Sequence, residues 1–362
     1  MKRKIVLENG IELHGKSFGS QKEVIAELVF NTSMVGYQEI FSDPSYTDQI
    51  ICMTYPIIGN YGIIDDDYES KITGPKGLIV REYNDKPSNF RYTKTLSEYL
   101  EENDVAGISY IDTRYLVRII RDNGSMLAII VDEEVSKADA LIKIKQYQVK
   151  SDQVARVSCK KIWYSRCANP KYNVVAIDCG IKYNIIRQLN SYHCNVTIVP
   201  YNTDVEKVLS LNPDGIFLSN GPGNPEDNQH LIKLIQKLQG NKPLFGICLG
   251  HQMIALANGY QTYKLKFGHH GGNHPVKNLD TNKIEITSQN HSYAVKPATN
   301  PNCRITHLNL LDETIEGLEV IDKACFSVQY HPESAPGPED SHYLFDKFIK
   351  NMEMFKKGEN HE

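Results

Sequence analysis

The sequence has 362 residues, longer than one ordinary domain of ~100–200 residues, and predicts two domains. Its hydrophobic content of 41% and charged content of 23% are those of a globular chain and exclude general disorder. Forty Lys and Arg against 44 Asp and Glu leave a net charge of −4, without the basic excess expected of a nucleic-acid or anionic-membrane binder.

No apolar run approaches the ~20 residues of a membrane helix, and mean hydropathy is −0.40. Residues 1–10 carry no long apolar core after their charges and read directly as strand and turn, so neither a secretory nor a transit signal is expected. None of the eight cysteines forms a C-x-x-C pair, which predicts reduced thiols and a cytoplasmic setting.

Residues 11–14 and 24–30 read as strands punctuated by Gly and Asn. Thr95-Leu96-Ser97-Glu98 has capping-box spacing for a helix ending near Glu102. Asp112 is placed to cap a helix over 113–121 whose Leu116, Ile119 and Ile120 share one face, with Gly124 as its stop. Together these predict a mixed β/α amino-terminal domain over 1–150.

Between 151 and 170 the periodicity fades into Lys, Ser and Arg with Asn169-Pro170, which predicts a linker. A second rhythm follows over 171–362. Strands are expected at 173–177, 195–199, 215–218 and 244–247, and helices at 184–189, 204–210, 227–238 and 250–257. This alternation predicts an α/β fold with a doubly wound, mostly parallel sheet, whose ligand site lies at the carboxyl ends of the strands.

The sharpest chemical signal is Gly246-Ile247-Cys248-Leu249-Gly250, set between an apolar strand and a helix. Composition alone would produce such a Gly-x-Cys-x-Gly string roughly 0.03 times in a chain like this. The context is that of a strained nucleophile turn, where small neighbours avoid steric clash and a helix N-terminus favours thiolate. A thiol nucleophile needs a base that later acts as an acid. His331 qualifies because a strand over 324–330 delivers it, and Glu333 can orient its ring.

Ser219-Asn220-Gly221-Pro222-Gly223-Asn224-Pro225 follows the 215–218 strand as a rigid loop whose backbone can approach a ligand. The Gly221 and Leu249 amides could form an oxyanion hole. No P-loop string occurs, and no G-x-G-x-x-G follows a strand. His269, His270 and His274 could ligate zinc, yet no carboxylate or thiol completes the set locally, so no metal is expected.

The strings at 246–252, 220–225 and 331–333 resemble class I (triad) glutamine amidotransferases. Further strings narrow the resemblance: Asn31-Thr-Ser-Met-Val-Gly-Tyr-Gln-Glu39, Asp43-Pro-Ser-Tyr46, Thr54-Tyr-Pro-Ile-Ile-Gly-Asn60, Ile111-Asp-Thr-Arg114 and Lys266-Phe-Gly-His-His-Gly-Gly-Asn-His-Pro275. Together they are similar to the small, glutaminase subunit of carbamoyl phosphate synthetase over nearly the whole chain, most weakly over 132–170.

The resemblance implies that Cys248 attacks the glutamine carboxamide, with His331 as acid and base and Glu333 orienting it. It implies that Ser45, Gly221, Gly223, Leu249, Gln252, Asn290, Ser292 and Tyr293 hold the glutamine. It also implies a large-subunit partner that uses ATP and Mg, no cofactor in this subunit, and an amino-terminal domain that supplies much of the partner surface. Ser292 and Tyr293 depart from the family's common Gly and Phe, Asn224 replaces a frequent Asp, and Tyr330 stands where some members have Gly. None of these removes a catalytic group. A non-catalytic scaffolding subunit is the alternative from another class. A γ-glutamyl hydrolase, or the glutaminase subunit of another amidotransferase, is the alternative on the same fold.

Overall fold

The computed structural model describes residues 1–358, which fall into two compact units. Unit 1 comprises Met1–Lys150 with Lys266–His270, and unit 2 comprises Ser151–Leu265 with the chain from Gly271 onward.

Unit 1 is built on a closed barrel. Its strands are β1 (Lys2–Leu7), β2 (Glu12–Gly19), β3 (Val24–Asn31), β4 (Gln49–Met53), β6 (Gly77–Ile79), β8 (Ala106–Ser109) and β9 (Met126–Asp132), in the order β1-β2-β8-β6-β4-β3-β9. Antiparallel pairing of β9 with β1 closes it, and β3, β4, β6 and β8 run parallel. Two short strands, β5 (Ile57–Ile58) and β7 (Glu82–Tyr83), pair separately.

The runs Ile50-Ile51-Cys52 and Ala128-Ile129-Ile130-Val131 are apolar at every position because both faces of the strand are buried. Ile50, Cys52, Ala128 and Ile130 share one core with α3 (Thr113–Asn123). Their neighbours Ile51 and Met53 pack with α1 (Tyr37–Phe41) and α2 (Leu96–Glu102), while Ile129 and Val131 pack with α4 (Lys137–Gln146). The period-two alternation of strands thus divides the cores. α2 carries both bonds of the Thr95–Glu98 capping box, and Asp112 accepts from the Tyr115 amide to cap α3. The barrel and helices α1 and α4 go beyond the strands and two helices read from the sequence.

Residues 266–270 add to unit 1 rather than to the second domain expected from the sequence. The Ser125 amide donates to the Lys266 carbonyl at 2.7 Å, and Phe267 meets Phe30 at 5.9 Å between ring centroids.

Unit 2 has a ten-stranded sheet. Its strands are β10 (Trp163–Ser165), β11 (Tyr172–Asp178), β12 (Cys194–Pro200), β13 (Gly215–Leu218), β14 (Leu244–Ile247), β15 (Thr262–Asn278), β16 (Ile284–Val295), β17 (Cys303–Asn309), β18 (Ile315–Val320) and β19 (Cys325–Val328). They lie in the order β10-β12-β11-β13-β14-β19-β18-β16-β15-β17.

Five adjacent strands, β12 through β19 in that order, are parallel. Helices α6 (Tyr183–Ser191) and α10 (Tyr343–Lys357) share one core with them. Helices α5 (Gln153–Val157), α7 (Val205–Ser210), α8 (Gln229–Leu238) and α9 (Leu249–Ala257) share the other. The expectation of a mostly parallel sheet is corrected, because β10, β17 and β18 pair antiparallel. The connections from β17 to β18 and from β18 to β19 are too short for a crossover helix, so those strands must reverse.

The expected linker is also structured. Val154 and Val157 of α5 are buried, the Cys159 amide donates to Asp178 Oδ2 at 2.8 Å, and β10 pairs with β12. The polar run hides two elements too short to show a period. No helix among the described residues is long and apolar enough to cross a membrane.

Candidate active site

Strand β14 ends at Ile247 and α9 begins at Leu249, so Cys248 is the whole turn between them. Its backbone sits at φ 54° and ψ −103°, a positive φ that costs a non-glycine residue of order 1–3 kcal/mol. The Cys248 amide donates to the Val328 carbonyl at 2.9 Å, tying the turn to the end of β19.

The flanking glycines are steric requirements. A Cβ on Gly246 would lie 2.7 Å from Ile254 Cδ1, and one on Gly250 would lie 2.4 Å from the Leu218 carbonyl oxygen. Gly250→Ala must therefore push α9 off β13. The expected result is a stability loss of about 1–3 kcal/mol in urea unfolding as the turn shifts.

The carboxyl end of β19 carries the chain to His331, whose amide donates to the Ser288 carbonyl at 2.9 Å. His331 Nδ1 lies 2.6 Å from Glu333 Oε1, which leaves Nε2 to act on the Cys248 sulfur. His331 is 3% exposed and Glu333 is fully buried. Burial alone would lower the proton affinity of His331, but Glu333 and the Cys248 sulfur outweigh it and hold the imidazole pKa above its ordinary value.

For Glu333, burial would raise the pKa, and the charges of Lys182 and His331 instead hold it well below the usual carboxylate range. Lys182 was not singled out in the sequence. Its Nζ lies 3.0 Å from Glu333 Oε1 and donates to the Ser334 carbonyl at 2.6 Å. Asn184 Nδ2 donates to the Glu333 carbonyl. Both residues flank the start of α6. A lysine just after an apolar strand, in a turn where Asp178 accepts from the Gly180 and Ile181 amides, is the available signal, and surface lysines share it.

The loop after β13 is fixed by Ser219, whose hydroxyl accepts from the Cys179 amide at 2.9 Å and donates to the Asn220 carbonyl at 2.8 Å. A Cβ on Gly221 would lie 2.3 Å from the Cys179 carbonyl, so only glycine fits there. Gly223 has a φ of +88°. As the first residue of α9, Leu249 has an amide with no acceptor inside the helix.

Gln252, one turn along α9, donates from Nε2 to the Tyr293 carbonyl at 2.8 Å and to Gln329 Oε1 at 3.1 Å. Asn290 places its carbonyl 3.5 Å from Cys248 Sγ, and the Ser292 hydroxyl is buried. Cys248, Gln252, Asn290, Tyr293, His331 and Glu333 are therefore joined through short contacts within unit 2. Ser45 lies in unit 1, on a single 3-10 turn over Pro44–Tyr46, where its amide donates to Asp43 at 2.8 Å.

This arrangement pairs a thiol with an imidazole steered by a buried carboxylate, as acyl transfer requires. A family described as Glutamine amidotransferase class-I matches residues 175–351, and one described as Carbamoyl-phosphate synthase small chain, CPSase domain, matches residues 5–130. The carbamoyl phosphate synthase small chain of Listeria monocytogenes serotype 4b (strain F2365) is 48% identical over 99% of both chains. The carbamoyl phosphate synthase pyrimidine-specific small chain of Bacillus subtilis (strain 168) is 48% identical over 99% of this chain and 98% of its own length. The small chain of Chlorobaculum tepidum is 51% identical over 97% of this chain and 98% of its own. The chain belongs to the carbamoyl phosphate synthase small chains, with their class-I glutamine amidotransferase region.

Proposed function

We propose that Cys248, His331 and Glu333 form the triad with which this small chain hydrolyses L-glutamine to glutamate and ammonia. The contact that carries the reading is the 2.6 Å bond between Glu333 and His331 Nδ1, which leaves Nε2 facing the thiol. Cys248 Sγ attacks the carboxamide carbon as its proton passes to His331. The Gly221 and Leu249 amides receive the oxyanion, and His331 Nε2 returns the proton to departing ammonia. Water activated by His331 then cleaves the γ-glutamyl thioester.

Gly223, Gln252, Asn290, Ser292 and Tyr293 hold the glutamine in this reading. Ser45 is added to them on the family resemblance. Ser45→Phe is accordingly expected to raise the glutamine KM while ammonia-driven carbamoyl phosphate synthesis by the complex stays intact. An unchanged KM would remove Ser45 from the set.

The ammonia passes to a large chain that uses ATP and Mg to make carbamoyl phosphate from bicarbonate, and this chain needs no cofactor of its own. A sheltered route suits the chemistry, because free ammonia is mostly protonated at neutral pH. Residues 1–150 supply much of the surface that docks the large chain. Residues 171–265 and 271–358 form the amidotransferase domain, with helices wound on both faces of the parallel strands, and the complex works in the cytoplasm. The test is glutamate release by this chain alone, then with the large chain, ATP and bicarbonate. A jump in turnover with carbamoyl phosphate formed is expected. Glutaminase activity indifferent to the partner would point to a different amidotransferase role.

A further inference from the structure

We propose that His291 is a buried imidazolium whose counter-charge, Glu316, reaches it through the Gln289 amide, so that Glu316 is a positioning residue for glutamine binding. The proposal rests on the reading above that segment 290–293 holds the substrate. His291, Gln289 and Glu316 are respectively 5%, 2% and 0% exposed, so their hydrogen bonds must balance with little help from solvent.

The balance has one starting point. Thr287 donates its only hydroxyl proton to the His274 carbonyl at 2.9 Å, so toward Gln289 it is an acceptor. Gln289 therefore turns Nε2 to it, at 3.1 Å, and the same Nε2 donates to Glu316 Oε2 at 3.0 Å. The amide oxygen Oε1 is then the atom 3.0 Å from His291 Nε2. An amide oxygen only accepts, so Nε2 carries a proton.

His291 Nδ1 lies 2.7 Å from the Tyr293 carbonyl, also an obligate acceptor, so it too carries a proton. A ring that donates from both nitrogens is charged. Glu316 is used in the complementary way. Asn309 Nδ2 donates to its Oε1 at 3.1 Å and Gln289 Nε2 to its Oε2 at 3.0 Å, so both carboxylate oxygens serve as acceptors. A buried cation without a buried anion would be costly, and the Gln289 amide is the bridge that lets the two balance.

The consequence falls on the segment beside the nucleophile. The Tyr293 carbonyl takes one bond from the His291 cation and one from Gln252, while the Asn290 carbonyl faces Cys248 Sγ. A charge-assisted bond at this point is about twice as strong as a neutral one and pins the backbone from 290 to 293. The cation also favours a substrate that brings a carboxylate.

The test uses the full chain with 15N-labelled histidine, the His291 signal being assigned by its loss in His291→Gln. At neutral pH both ring nitrogens are expected to be protonated, and Glu316→Gln is expected to convert the ring to a neutral tautomer. In the complex with the large chain, Glu316→Gln should raise the glutamine KM roughly tenfold and leave kcat within about twofold.

A singly protonated ring in the native chain overturns the charge assignment, whatever the variant does. An imidazolium that persists in Glu316→Gln overturns the counter-charge. Should that variant fail to fold, Gln289→Leu cuts the relay while leaving Glu316 its Asn309 bond, and the same shifts are expected. An unchanged KM in Glu316→Gln beside a raised KM in Asn290→Ala overturns the role of Glu316. An unchanged KM in both overturns the placement of glutamine on this segment, and the positioning role with it.

Discussion

Cys248→Ala is expected to release no measurable glutamate from glutamine, and His331→Asn to release it on the order of 10³-fold or more slowly than the native chain. The alanine keeps a Cβ and therefore the same turn at positive φ, but it removes the sulfur on which the proposed thioester forms. The asparagine keeps a polar group near Glu333 and removes the nitrogen proposed to move protons to and from sulfur. In the proposed mechanism the two residues act as one unit, so the double variant should be no slower than Cys248→Ala alone.

Ammonia-driven carbamoyl phosphate synthesis by the complex should survive in all three, which separates lost chemistry from lost assembly. Near-normal glutamate release by His331→Asn would remove it from the triad. The charge on His331 also bears on stability. Its pKa is raised in the folded chain, so its contribution is fully present below the ordinary histidine value and is lost as pH rises through the elevated one. Thermal unfolding of His331→Asn against the native chain should show a gap that narrows in alkali.

What could be read in advance follows the range of the interactions involved. The strand-to-helix turn at Cys248 was legible because its constraint is local: Gly246 and Gly250 abut Ile254 and the Leu218 carbonyl, and no larger residue fits. The α2 capping box and the Asp112 cap on α3 are equally local and stand where their spacing put them. The barrel was not legible, because its closure depends on pairing Arg3 with Asp132 and Ile5 with Ile130, far apart in the chain.

Residues 266–270 show the same limit, since nothing within five residues reveals that Lys266 will bond to Ser125. The antiparallel strands from β15 to β18 break the helix-strand rhythm that made the parallel core readable. At the site, His331 and Glu333 sit two residues apart and could be paired by inspection. Lys182 lies about 150 residues from Glu333, and a buried lysine leaves no mark in a single sequence that distinguishes it from the many exposed ones.

Lys182→Met is expected to be the most damaging change outside the triad. The native pair places Nζ 3.0 Å from a fully buried Glu333 carboxylate, with Lys182 itself 3% exposed. Removing one partner of such a pair strands the other and costs about 3–5 kcal/mol, a large share of the ~5–15 kcal/mol that stabilises a typical domain. The chemistry should fail in step. Lys182 is the largest charge holding the Glu333 pKa down, so without it burial raises that value. Glu333 then takes up a proton at a pH where the native carboxylate is still ionised, and the imidazolium loses its support. The acid limb of kcat/KM for glutamine should move to higher pH, and activity near neutrality should fall by about 10²-fold or more.

For stability the sign runs the same way. A depressed carboxylate contributes above its unfolded value and loses that contribution as pH falls through the folded one, so the deficit of Lys182→Met should shrink in acid. The double variant Lys182→Met with Glu333→Gln distinguishes the two effects. Removing both charges should restore much of the lost stability in urea unfolding, yet glutamate release should stay low because nothing then steadies the imidazolium. Full activity in that double variant would show that the buried pair holds the fold and leaves the proton transfers of His331 unaffected.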